Sequence, residues 1–110
     1  MVTLEIEGIN IRKYENNKLK MKITKDELKN VNYVYNHTSD FLTGIINYRE
    51  IIFNLLDKSK IKIFVTKKKD FPKIKNFYMF LVYYCKKYKI KLEKTILNDF
   101  EKPNMLEEYY

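Results

Sequence analysis

KIKIFVTKKKDFPKIKNFYMFLVYYCKKYKIKLEKTIL, residues 60–97, carries two changes of hydrophobic period in 38 residues. Ile61, Ile63 and Val65 alternate with Lys60 and Lys62, the period-two mark of a strand over 60–66. Asp70 then supplies an acidic cap, and Pro72 stands where a missing N–H does no harm to a helix start. From there Ile74, Phe77, Tyr78, Leu81, Cys85 and Tyr88 share one helical face, with Met79, Phe80, Val82 and Tyr83 around the rest. Lys86, Lys87 and Lys89 close the helix near residue 88, where its dipole favours cations. Ile90, Leu92, Ile96 and Leu97 mark a last strand over 89–97. Strand, helix and strand at this spacing make a minimal βαβ unit, expected to be parallel and right-handed.

Upstream, Val2, Leu4 and Ile6 alternate with Thr3, Glu5 and Glu7, and Gly8 shifts the phase to Ile9 and Ile11 through a bulge or bend. Leu19, Met21 and Ile23 alternate with Lys18, Lys20 and Lys22. Glu15-Asn16-Asn17 between the runs predicts the turn of an antiparallel hairpin, because Asn tolerates the left-handed conformation. Thr24-Lys25-Asp26-Glu27 has the form of a capping box and predicts a helix to about Asn36, with Leu28, Val31 and Tyr35 on one face. After a break at Asn36-His37-Thr38-Ser39, the stripe Phe41, Ile45, Tyr48, Ile52 and Leu55 predicts a second helix over about 40–57. The expected class is α/β of the α+β kind. An N-terminal β-hairpin and two helices precede the βαβ unit, giving a mixed sheet of four or five strands with packed helices. Residues 1–98 are expected to form one globular domain and 99–110 an acidic tail, in keeping with a chain of 110 residues.

Charge is distributed unevenly. Lys58 to Lys94 holds thirteen lysines against two acids, Asp70 and Glu93, whereas residues 1–57 carry eight basic and eight acidic groups. The last sixteen residues carry one lysine and four acids, and the whole chain is +8. Codon usage of an A/T-rich genome raises Lys, Asn, Ile and Tyr without any binding pressure, but it does not remove acids from one half of a chain. A concentrated positive field draws anionic partners. Twenty of the 22 basic residues are lysine, so nucleic-acid contact is expected at phosphates rather than base edges.

The segment Thr66-Lys67-Lys68-Lys69-Asp70 is the best candidate site, since it follows a strand and precedes a helix N-terminus. Lys67, Lys68, Lys69, Lys73 and Lys75 are the expected phosphate contacts, with Lys58, Lys60 and Lys62 or the 86–91 cluster extending the track. The loop has no glycine, so it is not a P-loop. Phe80, Tyr83 and Tyr84 are surplus to one helical face and point to a partner surface. His37 is the single histidine and Cys85 the single cysteine, which rules out a disulfide within the chain and a metal site built on histidines. A Cys85–His37 nucleophile pair is disfavoured by the apolar setting of Cys85.

No catalytic motif, metal site or cofactor signature stands out, so none is expected. With no apolar run of membrane-spanning length and no leader pattern, a cytoplasmic location without membrane contact is expected. The functional expectation is a small non-enzymatic protein that contacts nucleic-acid phosphates through a lysine patch. The alternatives are a protein-binding or inhibitor module of a virus or mobile element, homodimeric through helix 72–88, and a small metal-dependent nuclease.

Overall fold

The computed structural model describes residues 2–36, 47–98 and 101–109. The chain opens as a three-stranded antiparallel meander, β1 (Val2–Glu7), β2 (Asn10–Glu15) and β3 (Lys18–Thr24). Gly8, at φ +58°, forms the turn at which the chain reverses between β1 and β2. That left-handed conformation suits a residue without Cβ. Asn16 and Asn17 adopt it too, at φ 51° and 66° between β2 and β3, as the hairpin reading requires. Val2, Leu4 and Ile6 thus belong to a strand of their own, paired through Ile6 opposite Ile11.

The five-stranded sheet is built from β4 (Leu28–Asn36), β5 (Tyr48–Leu55), β6 (Lys60–Val65), β7 (Lys91–Asn98) and β8 (Glu101–Tyr109), in the order β6-β5-β4-β7-β8. Two predicted helices are therefore corrected. Residues 28–36 are a strand, and so is 48–55 of the predicted 40–57 helix; the remainder of that helix up to 46, with the His37 break, lies outside the described residues. One α-helix is present among the described residues.

The predicted capping box forms only in half: the Thr24 N–H donates to the Glu27 carboxylate at 3.2 Å, but the Glu27 N–H donates to the Thr24 carbonyl at 3.0 Å rather than to its hydroxyl, which itself donates to the Glu27 carboxylate. These bonds close the turn that links the two sheets, and a closed turn can lead into a strand as readily as into a helix. The residues after it decide. Val31, Tyr33 and Tyr35 alternate with Asn30 and Asn32, and β-branched and aromatic side chains favour a pleated surface while Asn is a poor helix former. Their partners complete the rows: Val31 faces Phe53, Tyr33 faces Ile51 and Tyr35 faces Arg49. The stripe through Tyr48, Ile52 and Leu55 is equally periodic as a helix, but Ile51 and Phe53 are the residues with no exposure.

The predicted βαβ unit is present in a split form. β6 leads through a 3₁₀ turn (Lys68–Asp70) into α1 (Phe71–Tyr88), which returns to β7. β7 pairs in parallel with β4 rather than with β6, and β5 and β4 lie between the two predicted partners. β6 and β7 still run in the same direction, since β5 is antiparallel to both β4 and β6. Pairing with β4 gives β7 two strand neighbours, with β8 closing the far side. Glu101–Tyr109, the bulk of the segment read as a tail, is this edge strand.

α1 buries the stripe Ile74, Phe77, Tyr78, Leu81, Tyr84 and Cys85. These join Ile11, Met21 and Ile23 of the meander and Val31, Ile51, Phe53, Ile63 and Leu92 of the larger sheet in one core. Each fully buried aliphatic or aromatic side chain stabilises by about 1.5–3 kcal/mol. The Tyr33 and Tyr78 rings stack at 4.2 Å, and the Tyr84 hydroxyl donates to the Ile9 carbonyl at 2.6 Å, tying the helix to the β1–β2 turn. Lys89 ends α1 in the left-handed region at φ 56°.

Arg49 is 8 % exposed on the core-facing side of β5. Its guanidinium lies 3.4 Å from the Tyr35 ring centroid and 4.3 Å from that of Phe71. It donates to the carbonyls of Asn36 at 3.1 Å and Tyr48 at 3.0 Å and to the Asn47 side chain. Among the described residues it has no ion-pair partner.

Candidate functional site

Where β6 ends and α1 begins, a cleft of about 700 Å³ opens between the larger sheet, the helix and the meander. Val2, Leu4, Ile63, Val65 and Ile74 make its apolar walls. Lys67, Lys69 and Lys73 line it from the loop and the first turn of α1, and Lys13 reaches it from β2. Among the described residues Asp70 is the single acidic one in the lining. Phe64 borders the cleft at β6, but its ring, 54 % exposed, lies against Tyr48 on the sheet face opposite Ile63 and Val65.

The structure thus brings together three of the five lysines expected from sequence. Lys68 and Lys75 are exposed but do not line the cleft. Lys86, Lys87 and Lys89 sit at the opposite end of α1, and an 18-residue helix separates its ends by about 27 Å. Lys91 is paired with Glu93 at 3.1 Å, and Lys94 lies 5.9 Å from the Tyr78 ring. The fold gathers Lys13, Lys67, Lys69 and Lys73 at the start of the helix, away from the lysines at its other end.

Lys13 and Phe64 were not singled out from sequence. A signal for Lys13 existed: it keeps step with Ile11 along β2, so it faces inward with the apolar residues. Its ammonium group pairs with Glu15 at 3.1 Å, an interaction that partial exposure keeps weak. Phe64 had no such signal, because an aromatic on the second face of a strand reads as covered until the sheet order is known.

At the head of α1, Asp70 occupies the cap position, as expected, but its carboxylate makes no capping hydrogen bond. The 3₁₀ turn takes over that role: the Phe71 N–H donates to the Lys68 carbonyl and the Asp70 N–H to the Lys67 carbonyl at 2.9 Å, while Pro72 has no N–H to offer.

The aromatic surplus divides. Phe80 and Tyr83 are 65 % and 70 % exposed on the outer side of α1, beside Met79 at 53 %. Tyr84 is buried at 4 %, and burial pushes its hydroxyl well above the usual phenol range. It belongs to the core because it comes three residues after Leu81 on the inward stripe. A second groove, of about 420 Å³, continues from the cleft along β1 to Phe80, sharing Val2, Leu4 and Lys73 with it.

Cys85 has no exposure, and burial pushes its thiol up to about 12. His37 lies outside the described residues. A folded-state pKa raised above the unfolded value of about 8.5 contributes stability that is complete below that pH and is lost as pH rises toward the folded value. The melting temperature is expected to hold between pH 7 and 8 and to fall above about pH 9, less steeply in Cys85→Ala. In the native protein the thiol should react with a disulfide reagent at pH 8 on the order of 10³-fold more slowly than in denaturant, as absorbance will show. Prompt native-state labelling would contradict its place in the core.

Among the described residues no group of three or more His, Cys, Asp or Glu side chains converges to hold a metal ion. No helix among them is long and apolar enough to cross a membrane. No family model, curated protein or solved structure matches the chain.

Proposed function

We propose that this protein binds nucleic acid through phosphate contacts in the cleft at the β6–α1 junction, without catalysing a reaction on it. The single observation that carries the reading is the convergence of Lys13, Lys67, Lys69 and Lys73, from one sheet, a loop and a helix, around one concavity with a single acidic residue among the described residues. Lys13, distant in sequence, meets there the three lysines of the β6–α1 junction. The described lining carries its positive charge on lysine rather than on arginine, the residue of bidentate base recognition, so affinity is expected with little sequence preference.

Counterion release gives the test. Four phosphate contacts predict a slope of log K against log salt of about −3 for a single strand. Affinity should fall about fiftyfold between 50 and 200 mM salt. Fluorescence anisotropy of labelled oligonucleotides, with and without magnesium, reads this directly. A flat salt response, or no binding at 50 mM, would overturn the proposal.

A second reading rests on a different surface. Met79, Phe80 and Tyr83 form an exposed apolar strip on α1, of the composition that protein interfaces favour. Self-association through this strip predicts a mass that rises with concentration in light scattering. The double substitution Phe80→Ser and Tyr83→Ser should abolish that rise; a strict monomer across the concentration range sinks this reading.

A further inference from the structure

We infer that the groove between β1 and α1 takes an extended peptide of a partner protein, which adds as a strand to the free edge of β1 and sets an acidic side chain against Lys73. This groove runs from the cleft to Phe80, and its occupant goes beyond the nucleic-acid reading above. β1 has a strand on one side only, β2. The pairing register fixes what its other side offers. Glu7 and Asn10 flank the two-residue turn Gly8-Ile9, so they are a hydrogen-bonded pair; the other ladder phase would need bonds between the two turn residues themselves. Thr3, Glu5 and Glu7 therefore direct their main-chain groups to β2, and Val2, Leu4 and Ile6 direct theirs to the open edge. No bond from a described turn or loop reaches them. Val2, Leu4 and Ile6 stand on one side of the groove, and Lys73, Phe77 and Phe80 of α1 on the other.

These walls select the occupant. β1 and α1 run side by side in the same direction, since Val2 shares both cavities with Lys73 and the Ile9 carbonyl accepts from Tyr84 further along. From Val2 to Ile6 the open edge spans about 13 Å, room for roughly four or five residues of an added strand. An acyl chain would fill the apolar part of the groove and leave the edge amides and carbonyls without partners. An extended polypeptide satisfies both: its main chain continues the ladder, and alternate side chains enter the groove. α1 stands opposite the edge, which suits one slim segment rather than the sheet of a second copy. Phe80, 65 % exposed, offers an aromatic surface for an apolar side chain. Lys73 lies at the end where Lys13, Lys67 and Lys69 also gather, so the peptide is complementary when it carries an acid there.

A phage-displayed library of random heptapeptides is selected on the full chain, and the most enriched peptide is synthesised. Enriched sequences are expected to place apolar residues at alternate positions and Asp or Glu near one end. Hydrogen exchange read by NMR then reports on the edge. Exchange of the Leu4 and Ile6 amides should slow by about tenfold or more on adding the peptide, while the Glu5 and Glu7 amides, already bonded to β2, change little. N-methylation of the peptide amides that face β1 should abolish binding, and N-methylation of the intervening ones should not. Phe80→Ser and Lys73→Glu, both at exposed positions, should each weaken the peptide about tenfold without loss of fold. A single-stranded oligonucleotide should leave the Leu4 and Ile6 amides exchanging as before. No enrichment, peptide binding that leaves those amides unprotected, or indifference to N-methylation overturns strand addition and leaves the nucleic-acid reading standing. Protection by the oligonucleotide and not by peptide gives the groove to nucleic acid and overturns it too. Failure of oligonucleotides to bind at low salt overturns the nucleic-acid reading instead.

Discussion

Simultaneous replacement of Lys67, Lys69 and Lys73 by glutamate is expected to weaken oligonucleotide binding on the order of 10³-fold, since each charge-assisted contact is worth roughly 1.5 kcal/mol or more. The salt slope should collapse toward that of the one remaining contact, Lys13. All three substituted residues are exposed, so the far-UV spectrum and melting temperature should stay close to those of wild type. The control is the pair Lys68→Glu and Lys75→Glu. These residues are as prominent in the sequence, yet they do not line the cleft, and their joint reversal should cost less than about tenfold. Equal losses from both sets would mean that a diffuse field, rather than this concavity, attracts the ligand.

Arg49→Ala is expected to destabilise the fold by about 3 kcal/mol or more. The guanidinium is nine-tenths buried, and three oxygen acceptors at Asn36, Asn47 and Tyr48 depend on it. Truncation leaves those acceptors without their cationic donor and opens a void between the Tyr35 and Phe71 rings. A loss of this size lowers the melting temperature by about 10 °C or more in a domain of this length. Arg49→Lys should recover only part of it, because an ammonium group cannot serve several carbonyls in one plane while stacking on two rings. Urea denaturation measures both; a midpoint in Arg49→Ala equal to that of wild type would show that Arg49 is a passenger in the core.

The β2–β3 hairpin and the β6–α1–β7 segment were legible because their hydrophobic patterns are unambiguous over six to eighteen residues, whereas the turn at Gly8 that makes β1 a third strand read as a bulge or bend. Ile61, Ile63 and Val65 cannot line one face of a helix, and Ile74, Phe77, Leu81 and Cys85 cannot line one face of a strand. Leu28–Asn36 and Tyr48–Leu55 were not legible. Ile51 and Ile52 are consecutive apolar residues, so both periods fit, and the Thr24–Glu27 closure looks the same in a turn and at a helix start. Cross-strand partners at Phe53 and Leu92, distant in sequence from Val31, decided the matter.

The candidate site divides along similar lines. Position between a strand end and a helix start marked Lys67, Lys69 and Lys73. Lys13 keeps step with Ile11 along β2, but that it meets the lysines of the β6–α1 junction depends on how the meander packs, which no local pattern encodes.

What the sequence determined by itself was the excess of lysine over acid in the C-terminal half and the local periods of the most regular segments. The tertiary structure alone decided which lysines meet, that Tyr84 is core while Phe80 and Tyr83 are not, and that β7 lies against β4. Periodicity is a property of neighbours along the chain, whereas a cleft and a strand order arise from the burial of surfaces contributed by residues far apart in it.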